Sequence, residues 1–147
     1  MRGRGHFSRI DRGQFKRLAP LSDENKTIIT EAMNERYYKD NKALDLNNFG
    51  ADNRFGGSSG AIGYLTDERV VEVVLNTIAQ HLSDLKALNL SNNSLRTLRE
   101  FAPIAEKAPH IEIMYLDKNK VRLLSTYPAF INLVSTFFFF SWFILVS

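Results

Sequence analysis

The hydrophobic residues of this chain change their spacing several times along the sequence. In three short stretches they alternate with polar residues, as Leu88 and Leu90 do around Asn89. This alternation predicts short strands, in which both leucines face a core while Asn89 faces outward. Ahead of that strand, an apolar stripe with helical spacing predicts a helix that begins after Thr66 or Asp67. The stripe consists of Val70, Val71, Val74, Leu75, Ile78 and Leu82.

An eleven-residue pattern occurs twice in the second half of the chain. Residues 85–95 match the leucine-rich-repeat consensus L-x-x-L-x-L-x-x-N-x-L at every fixed position, and residues 111–121 match it with aliphatic substitutes. The second copy starts 26 residues after the first, a period within the range of this repeat class. Each copy has an asparagine where the chain turns away from its strand, and its amide can satisfy backbone groups and form a ladder between coils. The structural repeat positions are Leu88, Leu90, Asn93, Leu116 and Asn119.

A degenerate copy of the pattern precedes these two. The alternation recurs at residues 44–46, but Phe49 stands in place of the turn asparagine, as is common in end repeats. The insertion at residues 50–63 is rich in glycine and serine, which predicts a flexible surface loop. Between the two regular copies, helical spacing predicts a helix over residues 98–108, in which Pro103 is tolerated because it lies early.

Another helix is predicted before the first repeat. Ser22 can cap it, and Asp23 and Glu24 lie at the positive end of its dipole. We interpret this helix as the cap of the first coil, because a repeat stack otherwise leaves its core open. The predicted fold class is α/β: a short leucine-rich-repeat solenoid fragment with an N-terminal capping helix and an apolar C-terminal tail. The predicted segments are 1–20 (basic and flexible), 21–39 (capping helix), 40–124 (leucine-rich repeats) and 125–147 (apolar tail).

The order of several motifs carries a family resemblance. The motifs are Arg36-Tyr37, Lys42-Ala43-Leu44-Asp45-Leu46, Leu88-Asn89-Leu90-Ser91-Asn92-Asn93-Ser94-Leu95 and Lys107-Ala108-Pro109. Together they cover about 100 residues, and their order and spacing resemble the leucine-rich-repeat region of the nuclear RNA export factor family.

This resemblance implies a role in nuclear export of messenger RNA. Members of the family are non-enzymatic adaptors that carry messenger RNA through nuclear pores, and their repeats help to bind RNA and adaptor proteins. We therefore expect RNA or export adaptors as partners, and a nuclear location with shuttling to the cytoplasm. The family's RNA-recognition fold and its two carboxy-terminal domains have no counterpart in this sequence, so we expect an incomplete member without pore docking.

Positive charge is concentrated at the amino terminus. Residues 1–20 contain six basic residues and one acidic residue, a net charge of +5, whereas the whole chain carries +3. The start of this segment resembles arginine-glycine sequences that bind RNA through phosphate attraction and base stacking. The alternative interpretation is a solvated tail or linker without a partner. The RNA-binding candidates in this segment are Arg2, Arg4, Arg9, Arg12, Lys16 and Arg17.

Four polar residues of the repeats are predicted to line the concave face of the solenoid, the usual partner surface of this architecture. Lys86 is the candidate for a phosphate and Tyr115 for base stacking, while Asn89 and Glu112 would belong to a partner surface. The alternative interpretation is that all four are ordinary solvent-facing positions, which are polar by default.

The carboxy-terminal segment is strongly apolar. No charged residue occurs from Tyr127 to Ser147, and residues 129–146 are long enough to span a bilayer as a helix. One interpretation is a membrane anchor, which would make the chain a tail-anchored membrane protein that displays a repeat surface. A second is an extension that is not native, as in a non-functional truncated product. A third is a buried core segment.

Catalytic chemistry has no support in the sequence. The three histidines, His6, His81 and His110, are far apart, and there is no cysteine and no assembled nucleophile or acid–base motif. We therefore expect no enzyme, no cofactor, no metal site and no small-molecule substrate.

Overall fold

The computed structural model describes residues 18–56, 62–121 and, for the backbone alone, 143–145. The predicted basic segment therefore lies outside the described residues, except for its last three. The candidates that lie outside are Arg2, Arg4, Arg9, Arg12, Lys16 and Arg17.

The first helix, α1 (Asp23–Glu35), begins where the sequence predicted. The Ser22 hydroxyl oxygen accepts a hydrogen bond from the backbone N–H of Asn25 at 3.2 Å, which caps the helix. The inward face of α1 is fully buried and packs against the second helix, so α1 is part of the main core. The buried residues of α1 are Ile29, Ala32 and Met33.

Among the residues that the structure describes, five short strands form one sheet in sequence order. The first strand is antiparallel to the second, and every later pair is parallel. Leu44, Leu88 and Met114 align with one another across the second, third and fourth strands. The strands are β1 (Tyr37–Tyr38), β2 (Ala43–Asp45), β3 (Ala87–Asn89), β4 (Ile113–Tyr115) and β5 (Phe143–Leu145).

The longest of the described helices, α2 (Glu68–His81), lies between β2 and β3 in sequence. Asp67 caps it by accepting a hydrogen bond from the backbone N–H of Arg69 at 2.9 Å. The predicted apolar stripe of this helix is buried, from Val70 to Leu82. Parallel strands joined by a helix are a mixed α/β arrangement consistent with a leucine-rich-repeat fold.

The predicted helix over residues 98–108 is divided into two short pieces. A 3₁₀ turn covers Arg99–Phe101, and α3 covers only Ile104–Lys107. Pro103 explains the division, because proline has no N–H to continue the helical hydrogen bonds from the preceding turn. Two further 3₁₀ turns follow β2, at Phe49–Ala51 and Asn53–Phe55.

The core lies between the sheet and the helices, and both regular repeats contribute to it in the same way. Leu88 and Met114 are fully buried at the first inward strand position, and Leu90 and Leu116 are at most 2% exposed at the second. Phe49 is also fully buried, so the degenerate repeat points an aromatic ring inward where the others carry asparagine.

The apolar tail is almost entirely outside the described residues. Of the candidate span 129–146, the structure describes Phe143–Leu145, whose backbone forms strand β5 beside β4. Among the described helices, none combines the length and the apolar character needed to cross a bilayer.

Candidate partner-binding face

The side of the sheet opposite the core carries two rows of side chains. Because successive residues of a strand face opposite sides, the neighbours of buried Leu44, Leu88 and Met114 point away from the core. One row joins Ala43, Ala87 and Ile113, and the other joins Asp45, Asn89 and Tyr115. We call this surface, together with Tyr38, the outer face.

Tyr38 joins the outer face through the antiparallel pairing of β1. It is the register partner of Ala43, so the two side chains share one face, and Tyr38 is 57% exposed. The adjacent Tyr37 pairs with Leu44 and packs against the core. Tyr38 was not predicted as a face residue, because a two-residue strand has no periodicity in the sequence. Its signal is the pair of successive tyrosines that follows the helix.

Of the four predicted face residues, two lie within the strands and two lie just before them. Asn89 and Tyr115 are register partners on the outer face, and both are partly buried. Lys86 and Glu112 were predicted as outward strand residues, but β3 and β4 begin one residue later. The Glu112 N–H donates to the Lys86 carbonyl at 2.7 Å. Lys86 and Glu112 therefore lie at the rim of the outer face.

Two ion pairs cross between neighbouring coils at this rim. The Lys42 ammonium lies 3.0 Å from Asp84, and the Lys86 ammonium lies 3.8 Å from Glu112. The hydrogen bond to Asp84 raises the pKa of Lys42, and the same bond lowers the pKa of Asp84. Each cation at this edge therefore has an acidic neighbour from the next coil, which limits its attraction for phosphate.

The turns after the strands are held by Asn93, which is 9% exposed. Its side-chain N–H groups donate to the carbonyls of Leu46 at 2.7 Å, Leu90 at 2.9 Å and Ser91 at 3.0 Å. Its oxygen accepts from the backbone N–H of Phe49 at 2.9 Å. One amide thus satisfies backbone groups of two coils at once.

Asn119 makes the same connections one coil later. Its oxygen accepts from the backbone N–H groups of Asn93 and Leu95, both at 3.0 Å. Its N–H groups donate to the carbonyls of Leu90 at 2.9 Å and Leu116 at 3.0 Å. The two asparagines therefore form a ladder that fixes the spacing of the coils, and with it the geometry of the outer face.

In the first coil, where Phe49 replaces the asparagine, Arg36 binds the turn instead. Its guanidinium donates to the carbonyls of Asp45 at 3.3 Å and Asn47 at 3.1 Å, and lies 5.6 Å from the centre of the Phe49 ring. Its Nε donates to Asp52 at 2.9 Å. From the sequence, Arg36 was visible only as part of a family motif, because these partners are separated from it by 9 to 16 residues.

Asp52 is the acidic partner of Arg36 and is itself mostly buried. Burial alone would raise the pKa of Asp52, but hydrogen bonds from the Arg54 N–H and from Arg36, with the charges of both arginines, lower it overall. Asp52 therefore remains ionised beside Arg36.

Within residues 18–56 and 62–121, no group of three or more histidine, aspartate or glutamate side chains could hold a metal ion.

Comparisons with known proteins agree with the leucine-rich-repeat arrangement of this chain. The NXF1/2/3/5 leucine-rich repeat domain family matches residues 34–127. Nuclear RNA export factor 1 of Drosophila melanogaster is 30% identical over 108 residues, which cover 74% of this chain and 16% of that protein. Nuclear RNA export factor 2 of Homo sapiens is 34% identical over 109 residues, 70% of this chain and 17% of that protein. Nuclear RNA export factor 1 of Caenorhabditis elegans is 30% identical over 120 residues, 81% of this chain and 19% of that protein. The chain thus spans less than a fifth of the length of these relatives.

Proposed function

Because this chain belongs to the nuclear RNA export factor family through its leucine-rich repeat domain, we propose that it is an RNA- and adaptor-binding module that acts in nuclear export of messenger RNA. The observation that supports this proposal most directly is the outer face, a solvent-facing sheet surface carried by a repeat domain of that family. The module works by binding and not by catalysis. Its location is the nucleus, with shuttling to the cytoplasm.

The RNA-binding part of the proposal rests on the basic amino-terminal segment. Six arginine and lysine residues within the first 17 positions attract phosphates without reading sequence. Arg69, near the start of α2, donates to the carbonyl of Ala19 at 2.8 Å. This contact joins Ala19, which follows the last basic residue of the segment, to the first turn of α2.

The adaptor-binding part of the proposal rests on the outer face. Repeat proteins bind partners across aligned strand positions, because neighbouring coils place equivalent side chains side by side. In this proposal Asn89 contributes to the partner surface from the outer face, and Glu112 contributes from its rim. The segment boundaries 21–39, 40–124 and 125–147, and the solenoid character of the repeats, are also parts of this proposal.

Binding of a fluorescent 20-nucleotide oligouridine to the full chain, at 50 and 200 mM salt, tests the RNA-binding part. Each phosphate contact with a single strand contributes about −0.7 to the slope of log affinity against log salt, so six contacts predict a slope of about −4. Neutralising Arg2, Arg4 and Arg9 to glutamine should reduce the magnitude of this slope by about 2.

The matched control neutralises three exposed basic residues of the repeat domain, Arg96, Lys118 and Lys120. This control changes the net charge by the same amount and should leave the slope nearly unchanged. Equal effects of the two variants would show that the repeat domain contributes as many phosphate contacts as the basic segment. No binding at 50 mM salt would overturn the proposed RNA function.

A further inference from the structure

The centre of the outer face is an apolar trough. The exposed ring of Tyr38 stands on β1, and Ile113 stands on β4 in the same register row. The two strands between them contribute only the small side chains of Ala43 and Ala87 to this row. Because neighbouring strands are about 4.8 Å apart, the trough is about 14 Å wide between the backbones of its walls. This width suits one extended chain lying along the strands.

The charges around this trough do not suit RNA. Both lysines at the rim have an acidic partner, since Lys42 pairs with Asp84 and Lys86 pairs with Glu112. Asp45 has no ion-pair partner among the described residues. These five side chains carry two positive and three negative charges, a net charge of −1. Since binding to a nucleic-acid backbone requires cations that are available to phosphates, the paired lysines at this rim offer RNA little attraction.

Asp45 lies at one end of the trough, because strand alternation places its side chain on the face opposite buried Leu44. Its Oδ1 accepts a hydrogen bond from the backbone N–H of Asn47 at 3.0 Å. Asp45 is two residues beyond Ala43 along β2, a distance of about 7 Å in an extended strand. The Asp45 carboxylate is therefore two residues along the strand from the apolar row that contains Ala43.

We infer that the outer face is the docking site for an extended protein segment in which an apolar residue and a basic residue are two positions apart. The apolar side chain lies over Ala43 and Ala87 against the ring of Tyr38, and the basic side chain binds Asp45. Tyrosine is enriched among the residues that contribute most to protein interfaces, which makes Tyr38 the anchor. This inference rests on the proposed function, because it specifies the chemistry of the adaptor. It also gives Lys86 and Tyr115 a new role, at the edge of a protein-binding surface and not as RNA contacts.

A phage-displayed library of random dodecapeptides, selected on the full chain, tests this inference. The enriched peptides should share an apolar residue two positions from lysine or arginine. A fluorescent synthetic copy of the most enriched peptide should bind the Tyr38→Ala variant at least tenfold more weakly than the unmodified chain. It should bind Asp45→Asn about fivefold more weakly, since asparagine retains the acceptor for Asn47 and loses only the charge.

Tyr64→Ala is the matched control, because Tyr64 is 50% exposed and lies outside the outer face. It should change peptide affinity by less than twofold. Ala87→Lys provides a second variant on the floor of the trough, in case Tyr38→Ala alters the fold. Its long side chain should abolish peptide binding, and thermal melting establishes that each variant is folded.

Two results would overturn the inference. Enriched peptides that bind all four variants equally would place the docking site elsewhere. A tenfold loss of oligouridine affinity in Tyr38→Ala, with a gain in Ala87→Lys, would assign the outer face to RNA. Neither result decides the proposed RNA function of the basic segment, because the Arg2, Arg4 and Arg9 substitutions measure that function separately.

Discussion

The side-chain oxygen of Asn119 accepts a hydrogen bond from the backbone N–H of Asn93 at 3.0 Å. Each ladder asparagine thus fixes the turn of the coil before it, as Asn93 does for Phe49 at 2.9 Å. Backbone groups at such a turn are buried and cannot bind water, so the ladder provides partners that strand pairing does not supply. Coil spacing, and therefore the alignment of the outer face, depends on these two side chains.

Replacing Asn93 with alanine should lower the free energy of unfolding by about 3 kcal/mol or more. The substitution leaves the N–H of Phe49 and the carbonyl of Leu46 without their partner in a buried turn, and each unsatisfied buried group costs about 1–3 kcal/mol. Urea unfolding followed by far-ultraviolet circular dichroism measures the change.

Asn34→Ala is the control for this experiment, because Asn34 is exposed on α1. Alanine is a better helix former, so stability should change by no more than about 0.5 kcal/mol. Similar losses in the two variants would mean that the ladder contributes little to stability.

Arg36→Lys should destabilise the chain by about 2 kcal/mol although the charge is retained. Lysine cannot reproduce the fork that binds the carbonyls of Asp45 and Asn47 while contacting Asp52 and the face of the Phe49 ring. The same substitution at exposed Arg96 should have no measurable effect on the urea midpoint. An unchanged midpoint for Arg36→Lys would show that the first coil does not need the guanidinium.

The contrast between Arg36 and Ser22 shows what the sequence alone could predict. Ser22 caps a helix whose first residues follow it directly, so a local pattern was sufficient. The buried positions Leu88 and Leu90 were also predictable, because strand alternation is local. Arg36 binds groups in another turn, and Tyr38 reaches the outer face only through the register of β1 with β2. These two residues depend on tertiary structure, which no spacing along the chain encodes.

Acid should destabilise this chain partly through Asp52 and Asp67. The side-chain hydrogen bond from Arg69 lowers the pKa of Asp67 against the opposing effect of burial, and the pKa of Asp52 is also lowered. A carboxylate with a folded pKa below its ordinary value of 3.8 adds stability above that value. This stability is lost as pH falls from about 5 through 3.8 to the folded pKa.

Urea midpoints measured between pH 6 and pH 2 check this dependence. The unmodified chain should lose stability most steeply below pH 4, and the Asp52→Asn variant should start from a lower midpoint and show a shallower decline. Asparagine keeps an acceptor for the Arg54 N–H, but it loses the charge and the second oxygen that accepts from Arg36 Nε. Parallel profiles for the two proteins would assign the acid sensitivity to other groups.

Gly63→Ala should destabilise the packing around the degenerate repeat by about 1–3 kcal/mol, the usual cost of inserting a methyl group into a close-packed core. A Cβ at Gly63 would lie 2.2 Å from two atoms of the Phe55 ring. That ring cannot move freely, because Phe55 is 7% exposed and lies edge to face with Phe49 at 5.1 Å.

Gly56→Ala is the matched control, since a Cβ there meets only the Asn53 carbonyl at 3.5 Å, an ordinary contact. Thermal melting should therefore separate the two variants by several degrees, with Gly56→Ala close to the unmodified chain. Equal melting temperatures would show that the Phe55 ring is displaced at little cost, and that the contact between Gly63 and Phe55 does not hold this region together.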